Sequence, residues 1–368
     1  MHYTATPNLL LEALSYLGAK ANGYTFSWME ERLKAKGIQD MSVLQQHTEP
    51  VARLMQRLDQ EAPIPQEQLL RLFRDLEGFP FNTTGLYSPA FLLFYSVLGH
   101  YRNHLPETLA DLQSRTPDQV GRHILLALNL SDSLGPSTDG CADLFVDTVL
   151  SLTIPPESRL SLLEIHRRNH DLVEEIGSCL SPVVAVLERS QAEIQAISHR
   201  FGLELEQIGY ETFLRKTTSL VITEDARYNL RPFLFGMDTN LTLEQNPGSP
   251  EIVVHCSVLI HDLQELFALA KDPAARVYDA IRLLGDRTRF DILCFLRDRP
   301  AYGSEISEHL GLARNTIHHH MSKLLNAGLV TCTVDGNRIC YVTNREHLDQ
   351  LLSQQYRLLV GKQGWPQK

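Results

Sequence analysis

The sequence predicts a mainly helical protein with small β elements: a large helical N-terminal module, a short sheet region and a C-terminal winged helix-turn-helix. Apolar residues recur at helical spacing over most of residues 7–215. β-branched runs separated by turn residues begin near residue 218. Near the C-terminus, a short helix, a Gly-containing turn, a longer helix and a hairpin follow one another. We therefore predict three parts, at residues 1–215, 216–272 and 273–360.

The N-terminal module reads as a series of helices broken by Pro and Gly. Leu9, Leu10, Leu14 and Leu17 mark the first helix by their spacing. A second helix is predicted at 27–36, with Ser27 as its N-cap. Further helices are predicted at 42–59, 66–76, 89–103 and 117–130, and two longer ones within 155–196.

From about residue 218 the residue pattern changes from that of helices to that of short strands. Short runs rich in β-branched residues are typical of strands, and Gly and Pro between them are typical of turns. We predict strands at 219–222, 232–235 and 252–256, a turn at 246–250, and a helix at 261–271. Asp272 and Pro273 then mark the start of the last domain.

Composition limits the class of protein. No apolar run reaches the roughly 18–20 residues needed to cross a bilayer, and the N-terminus lacks a basic and then apolar secretory signal. The six cysteines form no CxxC pair, which favours reduced thiols. We expect a cytoplasmic protein with no membrane partner, and the sequence predicts neither a metal nor a cofactor.

Charge is distributed unevenly along the chain, whose formal net charge is −10. Residues 274–353 hold 10 Lys or Arg and 9 Asp or Glu, a balance of +1. The remaining residues hold the other 24 basic and 35 acidic side chains, so the acidity lies outside the C-terminal domain. An acidic body repels non-specific DNA, which favours selective binding by the C-terminal domain.

The C-terminal domain begins with two predicted helices, at 274–284 and 288–297. Val277, Tyr278, Ile281 and Leu284 form one apolar stripe on the first helix. The apolar residues of the second helix, Phe290 among them, are expected to be largely buried.

A helix-turn-helix and a hairpin complete that domain. A short helix at 304–310, capped by Ser304, leads through Gly311 into a longer helix at 314–326. Two β-branched runs, 329–334 and 338–343, flank Asp335-Gly336-Asn337, which is a strong hairpin signal. This hairpin is the predicted wing.

Three segments of the domain form a specific pattern: Leu284-Gly-Asp-Arg-Thr-Arg-Phe-Asp-Ile-Leu293, Glu305-Ile-Ser-Glu-His-Leu-Gly-Leu312 and Thr316-Ile-His-His-His-Met-Ser-Lys-Leu324, with Ala327-Gly-Leu-Val330 after the last. This pattern resembles the ArsR family of winged-helix repressors. The chain departs from the family pattern at Arg287, where Pro is usual, and at Ala313, where a capping Ser is usual. The resemblance covers about 75–85 residues and implies a DNA-binding regulator.

The longer helix is the predicted recognition helix. Ile317, Met321 and Leu324 should face the core, which leaves the other face for the major groove. We predict that the outward residues on base edges are Arg314, Asn315, His318, His319 and Ser322. We predict phosphate contacts from Thr316, Lys323 and Ser304, and a minor-groove or backbone contact from Arg338 on the wing.

The resemblance also implies a homodimer that reads a near-palindrome. Its interface would combine the first helix of the domain with a C-terminal helix at 345–359. The residues predicted to form it are Val277, Ile281, Leu348, Leu351 and Leu352. The alternative is that the C-terminal helix packs only on its own domain.

Several residue pairs leave a second interpretation open. His318-His319-His320 cannot easily share one ion, because adjacent helix positions diverge by about 100°. His166 and His170 lie one turn apart, and His255, Cys256 and His261 lie close in sequence, but neither set supplies an identifiable zinc site. The helix at 304–310 lacks the Cys-x-Cys pair used by metal-sensing members of the family. Cys332 and Cys340, on opposite wing strands, remain candidates for a redox switch.

The leading hypothesis is a sequence-specific, dimeric DNA-binding regulator, acting as a repressor, whose N-terminal module senses a small-molecule effector or a partner. No phosphate-binding Gly-rich loop, HExxH or GxSxG motif points to an enzyme. Two alternatives remain: constitutive DNA binding with an N-terminal module that recruits another protein, and a DNA-tethered enzyme.

Overall fold

The computed structural model describes fourteen stretches of the chain. They are residues 1–35, 38, 41–79, 86–98, 104–128, 130, 139–218, 220, 222–223, 226–237, 239–244, 251–270, 273–335 and 338–361. The predicted turn at 246–250 and the hairpin residues Gly336 and Asn337 lie outside them, as do residues 219 and 221 of the strand predicted at 219–222.

The predicted fold class is confirmed, because helices dominate the described residues and the strands form two small sheets. The first nine helices are α1 (Leu9–Asn22), α2 (Phe26–Ala35), α3 (Ser42–Glu61), α4 (Gln66–Phe73), α5 (Pro89–Leu98), α6 (Leu105–Gln113), α7 (Pro117–Ala127), α8 (Cys141–Ser151) and α9 (Pro156–Arg167). The next nine are α10 (Asn169–Arg189), α11 (Gln191–Ile208), α12 (Tyr210–Thr217), α13 (Ile260–Ala270), α14 (Pro273–Leu284), α15 (Arg287–Leu296), α16 (Gly303–Leu310), α17 (Arg314–Asn326) and α18 (Arg345–Val360). No described helix is long and apolar enough to cross a bilayer.

Seven strands complete the described elements. They are β1 (His2–Tyr3), β2 (Arg227–Phe233), β3 (Leu241–Glu244), β4 (Glu251–Ser257), β5 (Ala301–Tyr302), β6 (Val330–Asp335) and β7 (Arg338–Thr343). The first sheet has the order β1-β2-β4-β3, in which β1 and β4 pair parallel with β2, and β3 pairs antiparallel with β4. The second sheet has the order β5-β7-β6 and is antiparallel.

The chain forms two compact units. The first contains residues 1–217 and 223–265, and the second contains residues 218–222 and 266–368. The strands β2 to β4 belong to the same unit as helices α1 to α12. The three-part division of the chain at residues 215 and 272 remains a prediction from the sequence.

Buried helices form the core of the first unit. Asn8 caps α1, since its side-chain oxygen accepts a hydrogen bond from the Leu11 N–H at 3.1 Å. The N-cap predicted at Ser27 is wrong: α2 begins at Phe26, and the Thr25 hydroxyl accepts from the Trp28 N–H at 3.1 Å.

One buried carboxylate joins α1 to the chain that follows β2. The Glu12 oxygens accept hydrogen bonds from the backbone N–H groups of Leu234 and Phe235, at 2.9 and 3.0 Å. Burial raises the pKa of Glu12 to about 8, against the opposing effect of these two hydrogen bonds. Glu12 therefore ties helix to sheet at the centre of the first unit.

The core of the second unit lies between the helices and the hairpin. Its fully buried members come from α15, α16, α17, the strands and the segment between α17 and β6, and they are Ile292, Leu296, Ala301, Ile306, Ile317, Met321, Leu324, Leu329, Val330 and Tyr341. Residues 218–222 also belong to this unit, where Leu220 makes an isolated parallel bridge to Cys332 on β6.

Candidate nucleic-acid interface

The turn between α16 and α17 has the tight geometry of a helix-turn-helix. Gly311 adopts a left-handed conformation with φ +63°, which a side chain would strain. The Ser307 hydroxyl donates to the Leu312 carbonyl at 2.6 Å, and the Leu312 N–H donates back to the Ser307 carbonyl at 3.1 Å. These bonds fix the direction in which α17 leaves the turn.

The N-cap of α16 is not the predicted residue, whereas the N-cap of α17 is as the sequence implied. Ser304 is not the N-cap of α16. The helix begins one residue earlier, at Gly303, and Tyr302 occupies the cap, where its N–H donates to Glu305 Oε2 at 2.8 Å. At α17 the N-cap is Ala313, which makes no side-chain cap bond, as the sequence implied.

One face of α17 packs into the core and the other meets solvent. Ile317, Met321 and Leu324 are fully buried, in agreement with the predicted spacing. His319 and Lys323, one turn apart, are exposed. Thr316 and His318 are half-buried beside them, so this face of the helix is polar and carries the positive charge of Lys323.

Ser322 contradicts the outward orientation predicted for it. Its side chain is only 1% exposed, and its hydroxyl donates to the His318 carbonyl at 2.8 Å. The buried face of α17 is wider than the three-residue stripe in the sequence, and a small hydroxyl that bonds to its own helix fits at its margin. Ser322 is therefore not available for a DNA contact.

Three predicted DNA contacts lie where the structure describes only the backbone. Arg314 and Asn315 occupy the first turn of α17, and Arg338 is the first residue of β7. Their side chains lie outside the described part of the molecule, so their DNA contacts remain predictions.

A charged cluster supports the buried side of the recognition helix. Asp286 caps α15, since its Oδ1 accepts from the Arg289 N–H at 3.0 Å, and the same oxygen lies 3.5 Å from His320 Nδ1 on α17. The Arg289 Nε donates to the Leu283 carbonyl at 2.6 Å, although this side chain is nearly buried. The sequence analysis assigned no such role to Asp286 or Arg289. The one indication in the sequence of a helix cap was an Asp directly before an apolar helix.

The same cluster shifts several pKa values. Burial lowers the pKa of His319 and of His320, with further lowering from the nearby cations Lys323 and Arg289. Partial burial alone would raise the pKa of Asp286. The hydrogen bond from the Arg289 N–H and the neighbouring positive charges lower it by more, so the net shift of its pKa is downward. These shifts favour the neutral form of both histidines, which offers one donor and one acceptor rather than a full charge.

The wing hairpin separates its two cysteines. Cys332 pairs with Tyr341 and Cys340 pairs with Thr333. Directly opposed residues share a face of the sheet and neighbours alternate, so Cys332 and Cys340 lie on opposite faces. Burial, with a smaller contribution from Cys340, raises the pKa of Cys332 to about 11. This register is unfavourable for a disulfide and disfavours the redox interpretation.

The two helices predicted to form a dimer interface pack against each other within one chain. Val277 is buried, Ile281, Leu348 and Leu351 are half-buried, and Leu352 is exposed. None of the described side chains of α18 is fully buried. The apolar stripe of α18 is therefore only partly covered by its own domain, because Leu352, Leu358 and Leu359 remain exposed on the same face as Leu348 and Leu351.

Two aromatic residues are exposed where the sequence placed them in the core. Tyr278 on α14 is 65% exposed and Phe290 on α15 is 51% exposed. Arg289 lies on the buried stripe of α15 with Ile292 and Leu296, which turns the adjacent Phe290 outward. The apolar stripe of α14 was therefore wrong at Tyr278, and the predicted burial of α15 was wrong at Phe290.

The histidine pairs of the first unit have ordinary hydrogen-bond roles. His166 Nε2 donates to the Pro117 carbonyl at 3.0 Å, and His170 Nε2 donates to the Arg115 carbonyl at 3.4 Å. His255 is fully buried on β4, and burial lowers its pKa to about 3. Within the described residues, no group of three or more His, Cys, Asp and Glu side chains could hold a metal ion.

Comparison with known proteins places this domain in a family. The model for bacterial regulatory proteins of the arsR family matches residues 286–331. The HTH-type transcriptional regulator CmtR of Mycobacterium tuberculosis is 34% identical over 80 residues, which are 22% of this chain and 68% of that protein. The arsenical resistance operon repressor of Staphylococcus aureus is 32% identical over 72 residues, which are 20% of this chain and 69% of that protein.

A third relative, the HTH-type transcriptional regulator KmtR of Mycobacterium tuberculosis, is 34% identical over 84 residues, covering 23% of this chain and 65% of that protein. No solved structure gives a significant match to the chain. These similarities agree with the helix-turn-helix and the hairpin described above. The chain therefore belongs to the arsR family of bacterial regulatory proteins and carries a DNA-binding transcriptional regulator domain at its C-terminus.

Proposed function

We propose that the protein is a homodimeric, sequence-specific repressor whose N-terminal module senses a small molecule or a protein partner. The observation that carries this proposal is the exposed polar face of α17, where His319 and the cation Lys323 are set against the buried Ile317 and Met321. A helix fixed in this way can enter the major groove and present its outer face to base edges. The arsenical resistance operon repressor, one of the relatives, is by its name a repressor.

The contacts divide into two kinds. Arg314 and Asn315, in the first turn of α17, are proposed to read base edges, with His318 and His319 behind them. Lys323, Thr316 and Ser304 are proposed to contact phosphates, which fix the position of the protein on DNA but carry no sequence information. Arg338 would add a contact from the wing.

Uncovered apolar side chains support dimerisation. Tyr278 on α14 and Leu352, Leu358 and Leu359 on α18 are exposed on helices that pack together. Large exposed apolar side chains grouped on one part of a small domain are typical of a protein interface. A second copy, related by two-fold symmetry, would cover them and place two recognition helices on one face of DNA.

The N-terminal module would act through the geometry of that dimer. A ligand that binds one arrangement of the two DNA-binding domains more tightly shifts the population toward it and so changes operator affinity. The alternatives of constitutive DNA binding and of a DNA-tethered enzyme make different predictions, because neither requires an effector. We place the protein in the cytoplasm, where such a regulator meets DNA.

Footprinting combined with stoichiometry tests the proposal. A DNA fragment selected by the purified protein from a random pool is footprinted, and the chains bound per fragment are measured by light scattering. We expect two protected half-sites, one helical turn or a multiple of it apart, with two chains bound. One protected half-site with one chain bound would contradict the dimer, and uniform protection would contradict sequence specificity.

A further inference from the structure

A short segment between α12 and β2 belongs to the second unit, although the chain on both sides of it belongs to the first. The first unit contains residues 1–217 and 223–265, whereas this strap, residues 218–222, groups with the DNA-binding domain. Both ends of the strap continue covalently into the first unit. A displacement of either end is therefore carried along the chain into the second unit.

The strap meets the wing sheet at the edge of β6. Leu220 makes an isolated parallel bridge to Cys332. In the sheet order β5-β7-β6, β7 covers one edge of β6, so Leu220 pairs with the other edge. Leu220 is 8% exposed, and its N–H donates to Thr218 Oγ1 at 3.3 Å. An open strand edge is a template for a further extended segment, and here the strap supplies one.

Asn240 fixes the start of the strap within the first unit. Its Nδ2 donates to Thr217 Oγ1 at 3.0 Å and to the Thr217 carbonyl at 3.3 Å. Its Oδ1 accepts from the Ser257 N–H at 2.8 Å. Thr217 is the last residue of α12 and Ser257 is the last residue of β4. One amide side chain therefore joins the end of a helix to the end of a strand, directly before the strap.

Tyr228 fixes the other end of the strap. Its hydroxyl oxygen accepts a hydrogen bond from the Thr223 N–H at 3.0 Å. Tyr228 lies on β2 and is 1% exposed, so the core of the first unit holds this hydroxyl in place. The two fixed points leave only five residues between them, and Leu220 is the middle one.

We propose that the strap is the element through which the first unit controls the wing hairpin. While Leu220 is bridged to β6, the hairpin is held in one position. When the ends of α12 and β4 shift, Leu220 leaves β6 and the hairpin gains freedom. A ligand or partner that favours one arrangement of these ends thereby changes the population of the bridged wing.

The strap deepens the proposed function, and only its effect on operator affinity rests on that function. A wing that is fixed before binding loses less conformational entropy when it contacts DNA. The bridged state is therefore the state with higher operator affinity. The bridge itself is tested on the full-length protein without DNA.

The Cys332 thiol reports on the bridge. Bridged residues on neighbouring strands share a face of the sheet, so Leu220 lies beside Cys332, whereas Cys294 on α15 is exposed. Alkylation by iodoacetamide, followed by mass spectrometry of the peptides, gives both rates in one sample. Leu220→Ser should raise the rate at Cys332 about tenfold, because the apolar contact is lost and a protected group reacts through its open form. The rate at Cys294 should not change, and an unchanged rate at Cys332 would overturn the proposal.

A substitution in the first unit tests the transmission. Asn240→Ala removes the hydrogen bonds that fix the start of the strap and should raise the Cys332 rate at least about threefold. This comparison still decides if Leu220→Ser fails to fold. The matched control is Asn22→Ala, because Asn22 on α1 also makes three hydrogen bonds to backbone groups of the first unit, none of them in or next to the strap. An unchanged Cys332 rate in Asn240→Ala, or an equal rise in Asn22→Ala, would overturn the proposal.

DNA binding is measured separately, on a fragment selected by the wild type from a random pool. Asn240→Ala should weaken binding to this fragment at least about threefold, because the freed wing must be ordered on DNA, and Asn22→Ala should not weaken it. Unchanged affinity in Asn240→Ala would contradict control of DNA binding by the strap. A Cys332 rate that responds to Asn240→Ala in a protein that selects no DNA defeats only the proposed function. Selective DNA binding with a Cys332 rate that does not respond defeats only this inference.

Discussion

Asp286 at the start of α15 lies next to His320 on the recognition helix, with Asp286 Oδ1 3.5 Å from His320 Nδ1. The same Asp286 oxygen accepts the Arg289 N–H and so caps α15. One carboxylate thus caps α15 and lies beside α17, although His320 Nδ1 makes no hydrogen bond in the structure. Asp286 and His320 are 34 positions apart in the chain.

Replacing this carboxylate should loosen both helices. We expect Asp286→Ala to reduce the free energy of unfolding of the second unit by about 1 kcal/mol, the usual cost of a lost N-cap. Hydrogen exchange measured on peptides from residues 286–331 should be faster in the variant. Asp298→Ala, which removes a fully exposed partner of Arg297, is the control and should leave these rates unchanged. Equal exchange in wild type and Asp286→Ala would remove the structural role assigned to Asp286.

Acid should weaken the same junction. The pKa of folded Asp286 is lowered, so the stability it contributes is present above its unfolded pKa and is lost as pH falls through the lowered value. His320 also makes the folded state less stable as the pH falls. Because folding lowers the pKa of His320, the unfolded chain takes up its proton first, and stability falls below its ordinary pKa of 6.5.

Lys323 should make a non-specific phosphate contact. We expect Lys323→Ala to weaken binding about equally on all DNA sequences and to reduce the slope of log affinity against log salt by about 1. Fluorescence anisotropy over a salt series measures both quantities. Ser322→Ala, one residue away but buried, should leave the salt slope unchanged. Matching slopes for Lys323→Ala and the wild type would mean that Lys323 meets no phosphate.

Arg314 should instead affect specificity. Arg314→Ala is expected to cost about 1–3 kcal/mol of binding free energy and to relax the preference at one base position. Competition among operators with single base changes measures this preference. A uniform loss on every operator would assign Arg314 to the phosphate backbone.

The second unit shows what periodicity can and cannot predict. Ile317, Met321 and Leu324 were identified as core from spacing alone, because a helix buries one stripe. The predicted burial of Phe290 is wrong because it rests on the hydrophobicity of the side chain and not on its place around the helix. The buried stripe of α15 contains Arg289, whose Nε donates to the Leu283 carbonyl, and Phe290 lies outside that stripe. A buried arginine paired with a carbonyl from another helix leaves no signal in a local pattern.

The dimer should dissociate when its apolar surface is charged. We expect Leu352→Glu to give a monomer in sedimentation analysis and to reduce operator affinity at least about tenfold, because a buried unpaired carboxylate is costly at an interface. Leu160→Glu, at an exposed leucine on α9 in the first unit, is the matched control and should remain a dimer. A dimeric Leu352→Glu that still binds the operator would place the interface elsewhere.

Glu12 should make the first unit less stable as pH rises. Its folded pKa, about 8, lies above its ordinary value of 4.5, so the folded state holds a proton that the unfolded state releases. Its contribution to stability is therefore present below pH 4.5 and is lost as pH rises toward 8, at up to about 1.4 kcal/mol per pH unit. Urea unfolding followed by tryptophan fluorescence, with Trp28 in this unit, measures the trend. Glu12→Gln should remove this slope, and an unchanged slope would assign it to another group.

The first unit was less predictable because its key pairings are long-range. The two-residue strand β1 pairs with β2 through His2 and Asn229, more than 200 residues apart, and no periodicity can be read from two residues. Helices α6 and α8 were also missed. The hydrogen bonds of Asn240 to Thr217 and Ser257 join the ends of α12 and β4 and have no motif, so only the fold brings these residues together.

Binding of purified protein to its own promoter region, with random DNA of equal length as the control, tests the central claim most directly. The measurement is a gel shift at physiological salt. The account predicts selective retention of the promoter fragment. Equal, strongly salt-dependent retention of both fragments, or retention of neither, would contradict a sequence-specific regulator of that promoter.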